Sequence, residues 1–375
     1  RWPTAMRNTS SISMRFRLWQ TEPMSYFDAA DERFGHQIPE PFRSTEVHHQ
    51  FWRESLFFIA QSPKGPDDVT ILTLAHFPAR EVMDSLQLGR FNDEPILMRH
   101  ERHVNGDYDD FVVGPVTIEI VEPKRIVHLR VEESASAPVS MDLTFTARTA
   151  PYGLRRGTMR SGHEIIWDQR HMFQSGWFSG TVTRGGATKT LDKWWGQRDH
   201  SWGIRNHARC PLWMWTPIQL EEGMLSIWHW EYPNGARVYT DGCFAPSDMS
   251  EPIPVIDFAH DLTWLDAHGN STSYDRFGDD VVGLAGRLTF TLQGGRRIVV
   301  DATGRWAQRY SFGGTKTPQT LGGGLSEMQV TTSDGARGTA IYEVTGQWHH
   351  RYFPLPRGEK FPPNAYSPSE DERAR

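Results

Sequence analysis

Val139-Ser140-Met141-Asp142-Leu143-Thr144-Phe145-Thr146 sets Val139, Met141, Leu143 and Phe145 in strict alternation with small polar or acidic residues. A period of two is what a β-strand with one buried face requires, because successive side chains leave the backbone on opposite sides. Outward from this stretch the same period, less clean, runs through Val69 to Phe77, Val113 to Val121, Ile126 to Val131, Phe178 to Val182, Leu225 to Glu231, Val255 to Leu265, Leu288 to Leu292, Arg297 to Asp301 and Ala340 to Val344. Asn105-Gly106, Gly185-Gly186, Asn234-Gly235, Gly294-Gly295 and Asp334-Gly335 fall between such runs and supply the positive-φ residues of tight hairpins. Helical periodicity is scarce. Ala79 to Leu88, ended by Gly89, is the one helix expected, with a turn near Phe27 to Arg33.

About fifteen to twenty strands over roughly 310 residues exceed one ordinary barrel and fit two β barrels or sandwiches in tandem. The sequence is therefore read as all-β: an N-terminal extension over 1–45, a first β domain over 46–187, a second over 188–353 and a Pro-rich tail over 354–375. The join is expected between about Arg184 and Leu191. No low-complexity linker marks it, so the domains should pack closely and leave an interdomain cleft as a natural pocket. Arg1 to Thr21 holds four arginines and no acid before Glu22, a composition that overlaps with transit peptides but lacks the apolar stretch of a secretory signal. Pro354 to Arg375 carries five prolines, which rule out regular structure and read as a tail or a wrapping strap.

The 375 residues include 40 Lys+Arg and 46 Asp+Glu, a formal charge of −6, with 38% hydrophobic. This balance, with no basic block, argues against a nucleic-acid partner. No apolar run approaches the roughly 18 residues of a membrane span. Two cysteines, Cys210 and Cys243, are too few for a disulfide scaffold or a four-thiolate zinc site, and a reduced, cytoplasmic compartment is expected. The composition is rich in aromatics: 15 Trp, 20 Phe and 10 Tyr, with nine of the Trp between Trp167 and Trp230. Half-buried sheet faces account for many of them, and a deep pocket for an apolar or aromatic ligand would use the same residues.

The densest polar island, Gly196-Gln197-Arg198-Asp199-His200-Ser201-Trp202-Gly203-Ile204-Arg205, lies in sequence among Trp194, Trp195, Trp213 and Trp215. Desolvation there would move the pKa values of an acid and an imidazole toward the range of proton transfer. The alternative is structural: Asp199 and Ser201 capping a turn, Trp202 plugging the domain join, Arg205 in an ion pair. This run, with Gln174-x-Gly176 and Gly180-x-Val182 before it, resembles the signature of the family that includes carotenoid hydratase (hydroxyneurosporene synthase) and its lipocalin-like, AttH-type relatives. Kievitone hydratase and a group of pericyclic cyclases look like more distant members. The resemblance is specific over about Trp167 to Phe244. It implies two tandem lipocalin-like β domains and no obligatory organic cofactor, and leaves the substrate open among isoprenoids, phenolics and polyketides.

His229 lies between Trp228 and Trp230 on a strand and so faces away from both; it is a candidate general base or a satisfied core histidine. His171 has a similar claim. His76 shares a face with Leu72 and Leu74 and points inward. Tyr239 with Asp241, Tyr342 with Glu343, and Glu54 supply acids that could reach the pocket or form structural ion pairs. Metal binding is rejected, since His48-His49 and His349-His350 are adjacent pairs that diverge on a strand and neither His-Glu-x-x-His nor Cys-x-x-Cys occurs. Gly322-Gly323-Gly324 lacks the context of a phosphate loop, and no Gly-x-Ser-x-Gly elbow supports Ser201 as a nucleophile.

Together these point to a cofactor-independent lyase, a hydratase, dehydratase or small-fragment eliminase, acting on a hydrophobic aromatic or isoprenoid molecule. Asp199, His200, His229 and Glu343 are its candidate catalytic residues, with Asp199 as the acid and His200 or His229 as its partner base. Arg205, Trp202, Trp213, Trp215, Trp228, Tyr239, Asp241 and His171 are its candidate binding residues. Breakdown of plant-derived aromatics is one setting that suits such a ligand. The alternatives are a cofactor-free isomerase or pericyclase, a lipocalin-like carrier without turnover, and a domain pair that docks to another protein. A homodimer is compatible with any of them.

Overall fold

The computed structural model describes residues 27, 29–36, 49–64, 68–104, 106–107, 109–134, 137, 139–274, 278, 280–309, 321–347 and 350–354. The transit-like stretch, the tail beyond 354, and the His48 and His349 members of the histidine pairs lie outside them. The first sheet comprises β1 (Trp52–Gln61), β2 (Val69–Phe77), β3 (Val82–Phe91), β4 (Glu94–His103), β5 (Val112–Val113), β6 (Val116–Glu122), β7 (Ile126–Val131), β8 (Val139–Ala147), β9 (Tyr152–Ser161), β10 (Glu164–Arg184) and β11 (Ala187–Arg205). Its order is β4-β3-β2-β1-β11-β10-β8-β7-β6-β5, with β9 on the far half of β10. Side chains bridge the two ends: Arg102 Nε donates to Val112 O at 2.6 Å and Ser85 Oγ to Val113 O at 3.3 Å.

The second sheet comprises β12 (Leu212–Trp215), β13 (Ile218–Leu220), β14 (Gly223–Glu231), β15 (Arg237–Pro246), β16 (Ile253–Leu265), β17 (Ser271–Thr272), β18 (Gly283–Leu292), β19 (Arg297–Arg309), β20 (Leu321–Thr332) and β21 (Arg337–Gln347). Pairing of β14 with β15 closes it into a barrel in which β12 and β13, separated at Thr216-Pro217, share one position. Proline has no N–H to give a ladder, which accounts for the break. The architecture is two β barrels in tandem, as the alternation predicts. Among the described residues no helix is long and apolar enough to cross a membrane.

Two boundaries differ from expectation. Gly185-Gly186 turns β10 onto β11 inside the first sheet, and the second half of β11, Trp195 to Ile204, also pairs with the whole of β1. The chain thus changes sheet at 206–211, not between Arg184 and Leu191, because a glycine hairpin reads the same within a domain as between domains. Ala79 to Leu88 is not a helix: a 3-10 turn at Pro78–Arg80 leads through Glu81, at φ 52°, into β3. β3 is covered on both faces, Met83 lying in the first barrel's core and Leu88 between the barrels, so the alternation that would mark it is lost.

Besides the two barrel interiors, a third core lies between the barrels, built from Ile59, Ile71, Trp167, Phe173, Trp213, Trp215, Trp228, Trp230 and Ile341 among others. Arg148, 2% exposed, crosses it: Nη2 donates to Leu220 O at 2.7 Å and Gly223 O at 2.8 Å, and Nε to Ser175 Oγ at 3.1 Å. Each end of the described chain caps a barrel. Phe34 joins the first core and Glu32 meets Arg198; Tyr352 and Phe353 join the second.

Candidate functional site

In the register of β10 and β11, Phe173 lies opposite Asp199, His171 opposite Ser201 and Trp167 opposite Arg205; on the other side β1 places Phe57 beside Asp199 and Ser55 beside Ser201. Alternation sends Trp167, Gln169, His171, Asp199, Ser201 and Arg205 toward the second barrel. Trp167 is the hub, with ring centroids 5.7 Å from Trp213, 6.2 Å from Trp228 and 5.5 Å from Trp230. Trp228 meets His171 edge-to-face at 5.0 Å, and Trp215 meets Phe57 at 5.2 Å.

A directed chain of polar contacts ends at Asp199. The Trp167 indole N–H can only donate and does so to Gln169 Oε1 at 2.6 Å, which turns the Gln169 amide N–H toward His171 Nδ1 at 3.4 Å. His171 Nδ1 is therefore the acceptor nitrogen and Nε2 carries the hydrogen; Nε2 lies 3.3 Å from Asp199 Oδ1, close to the carboxylate but not aligned for a hydrogen bond with it. Burial pushes the His171 pKa below its ordinary value, against the opposing charge of Asp199, so the ring is neutral at pH 7. Arg205 Nη2 donates to Ser201 O at 3.1 Å and Arg53 O at 3.2 Å, while its Nε is buried without an acceptor. Burial and the charge of Arg53 draw its pKa down to about 9, leaving it cationic at neutral pH. The Trp215 and Trp228 indole N–H groups and the Gln197 amide are also buried without partners. Buried polar groups are as a rule satisfied, so these donors call for a partner beyond the protein's own side chains, such as water or a ligand.

At the other end of the aromatic wall Asp241, 2% exposed, accepts from Tyr152 Oη at 2.9 Å, from Arg155 N at 2.8 Å and Nε at 3.0 Å, and from Gly242 N at 2.8 Å. Tyr239 packs on Trp230 at 4.6 Å and donates to Arg155 O at 2.7 Å. This approach depends on Gly157, where a Cβ would lie 2.6 Å from the Trp230 ring and 3.0 Å from Tyr239. Gly157→Ala should force both rings aside and destabilise the chain by about 1–3 kcal/mol. A urea titration followed by tryptophan fluorescence checks it, and an unchanged midpoint would refute the close fit.

The interface thus collects Asp199, Arg205, His171, Trp213, Trp215, Trp228, Tyr239, Asp241 and Glu343, whose Oε1 accepts the Trp213 indole N–H at 2.7 Å. Three expected site residues lie elsewhere. His200 and Trp202 alternate away from Asp199 into the first barrel, where His200 contacts Asp31 O at 2.7 Å and Glu54 Oε1 at 3.1 Å, and Trp202 stacks on His36 at 4.0 Å. His229 faces the second barrel's interior, at 2.6 Å from Thr240 Oγ1 and 3.2 Å from Glu231 Oε1. Neither histidine can serve as the partner base of Asp199. Its neighbour is His171, two strand-pair positions away in register but on the same face. His76 points inward against Phe34, as its alternation predicts.

Each barrel also encloses a carboxylate-histidine cluster that sequence reading does not find. Glu54, 0% exposed, meets His36 and His200; burial alone would raise its pKa, but their hydrogen bonds and charges hold it down to about 2. Glu231 meets His229, His260 and His350, the last two at 2.6 and 3.1 Å. The only sequence signal for the second is alternation, since Glu231 shares a strand face with His229. Burial draws the His229 pKa down to about 4 and lowers those of His350 and His171. A histidine whose folded pKa is depressed stabilises the fold above its unfolded value near 6.5, and that contribution is lost as pH falls through the folded value. Stability should therefore drop between pH 6.5 and about 4, a window in which Glu231 stays ionised. Urea midpoints at pH 7, 5.5 and 4 test it; a midpoint that rises on acidification would contradict the neutral-histidine assignment.

A family model described as a family of unknown function, DUF8625, matches residues 28–272. The chain belongs to the DUF8625 family. Comparison with curated proteins returns no match. Among solved structures this DUF8625 chain is similar to an AttH-like protein from Nitrosomonas europaea, at 12% identity and TM-score 0.55 over 79% of this chain and 93% of that one. It is also similar to CghA, at 11% identity and TM-score 0.50 over 83% and 90%. A further similarity, to kievitone hydratase from Nectria haematococca, has 14% identity and TM-score 0.46 over 77% and 88%. The AttH-type, lipocalin-like fold that the Arg198 to Arg205 run implies is thus the fold of this chain. The DUF8625 match crosses the 206–211 join and spans Asp199, His171, Tyr239 and Asp241 but not Glu343.

Proposed function

We propose that this chain is a cofactor-independent enzyme of the lyase class, adding water to or removing it from an apolar aromatic or isoprenoid molecule held between the two barrels. The observation that carries this reading is the Trp167-Gln169-His171 chain, which fixes an imidazole with its Nε2 3.3 Å from the Asp199 carboxylate in a buried, tryptophan-walled interface. In the dehydration direction Asp199 takes a proton from the carbon beside the leaving hydroxyl as the C–H electron pair forms the C=C bond and the C–O bond breaks, its pair leaving with the oxygen. The proton on Asp199 passes to that departing oxygen, which leaves as water and returns Asp199 to the carboxylate; hydration is the reverse. Asp199 is the catalytic residue, and His171, with Nε2 3.3 Å from Oδ1, is a positioning residue beside it. Arg205 Nε supplies a charged donor for a phenolate or carboxylate oxygen, and Trp228 and Trp215 wall the apolar part.

The test is incubation of the purified chain with a panel of phenolic dimers, isoprenoid alcohols and alkenes, followed by chromatography with mass detection. Gain or loss of water supports the reading. Tight binding with no mass change and no change of retention time would replace it with a lipocalin-like carrier, and a retention shift at constant mass with an isomerase.

A further inference from the structure

The His36-Glu54-His200 cluster lies at the capped end of the first barrel, on the opposite side of β1 and β11 from the proposed lyase site. Its hydrogen-bond directions are unusual. His200 Nδ1 lies 2.7 Å from Asp31 O, a carbonyl that can only accept, so Nδ1 carries the hydrogen and neutral His200 presents a lone pair on Nε2. His36 Nε2 lies 3.1 Å from the Asp31 carboxylate Oδ1, so a neutral His36 keeps its hydrogen there and likewise has its lone pair on Nδ1. Both lone pairs point at one atom, Glu54 Oε1: His200 Nε2 at 3.1 Å, and His36 Nδ1 in close contact. The other oxygen of Glu54 is already fixed by the backbone N–H groups of Gly35 and His36, at 2.8 and 3.0 Å. With both rings neutral, three acceptor atoms, all within 4.8 Å of one another, converge, so the cluster calls for added positive charge, supplied by protons on the imidazoles or by a cation.

The second barrel's cluster looks alike and is built the other way. His350 Nδ1 accepts the backbone N–H of Tyr352, while His229 Nδ1 and His260 Nδ1 face the hydroxyls of Thr240 and Tyr352, which can donate. All three rings there can keep Nε2–H and donate to Glu231, so the neutral cluster is complete. In the first barrel the outer atom of each ligand is instead held as metal-binding histidines and carboxylates are held, by carbonyl, carboxylate and backbone N–H.

We propose that His36 Nδ1, His200 Nε2 and Glu54 Oε1 form a binding site for a first-row divalent cation of the zinc type, with Asp31 orienting both imidazoles. Two imidazoles and one carboxylate suit zinc, whose bonds to them run to about 2.0–2.2 Å, and the present separations require a shift of less than about 1 Å to admit it. The cation would tie the 31–36 segment to β1 and β11 and so clamp the cap of the first barrel.

The experiment uses the tag-free full chain, stripped of metal and titrated with Co2+ for its ligand-field absorption and with Zn2+ by calorimetry. One equivalent should bind, and Zn2+ should raise the melting temperature. His36→Ala lies outside the strands and should abolish binding while leaving the far-UV circular dichroism of the sheets unchanged. Asp31→Asn should weaken binding about 10- to 100-fold. His260→Ala, in the other cluster, should leave the titration as it is. Absence of binding, binding that survives His36→Ala, or binding lost in His260→Ala would overturn the assignment and leave two protonated imidazoles as the positive charge. Because the readout is metal binding, its outcome is independent of whether the interface turns over any substrate.

Discussion

Asp199→Asn should lower kcat by about 100- to 10,000-fold on whichever panel compound the native chain converts, the range that a positioned acid or base contributes. The change is isosteric and keeps an oxygen beside His171 Nε2, so the fold and the substrate affinity should survive it. The loss should appear in kcat with little change in KM. His171→Gln keeps a donor near Asp199 but breaks the chain from Trp167 and Gln169 that fixes it, so its loss should be smaller and partly restored relative to His171→Ala. His229→Gln provides the contrast. It lies inside the second barrel against Glu231 and Thr240 and should leave kcat close to native. Near-native turnover in Asp199→Asn, or a loss in His229→Gln as large as in Asp199→Asn, would remove Asp199 from the chemistry.

That contrast was partly legible in the sequence. Residues adjacent on a strand diverge, and the rule that sets Trp228 and Trp230 apart from His229 also sets Asp199 apart from His200. Local alternation therefore predicts the faces of β8, β2 and β14 and the two-barrel architecture. What it does not carry is which strand lies beside which. The pairing of β11 with β1 joins residues about 145 positions apart, and it brings Ser55 and Phe57 to Asp199; nothing local encodes it. The same holds for Tyr152 and Arg155 against Asp241. The clusters escaped for a different reason. Asp31, His36 and His350 sit in segments without periodicity, where sequence neighbours say nothing about direction. The adjacency that seemed to disqualify His349-His350 applies to strands, and His350 lies beyond β21, free of that constraint.

Arg198→Met should destabilise the chain by about 3–5 kcal/mol, the usual cost of stranding a buried charge. Arg198 is 1% exposed and Glu32 2%. They form a bidentate pair, with Nη1 and Nη2 each 2.7 Å from a Glu32 oxygen, while Arg198 Nε donates to Gln174 Oε1 at 2.9 Å. Burial by itself would raise the Glu32 pKa, and the hydrogen bond and charge of Arg198 hold it below the usual carboxylate range. A depressed carboxylate stabilises the fold above its unfolded pKa and loses that contribution as pH falls through the folded one, so the effect of the substitution should be full at pH 7 and shrink below about pH 4.5. Urea unfolding at pH 7 and pH 4 measures both. Glu32 is also the point at which the capping segment enters the first barrel, so Arg198→Met should expose the segment around Arg33 to trypsin before the sheets unfold. The double variant Glu32→Leu/Arg198→Met removes the stranded charge as well, and should regain much of the loss because paired apolar replacements avoid the desolvation of both ions. If the double variant were no more stable than Arg198→Met alone, the loss would come from the guanidinium's contact with the Phe145 ring and not from the ion pair.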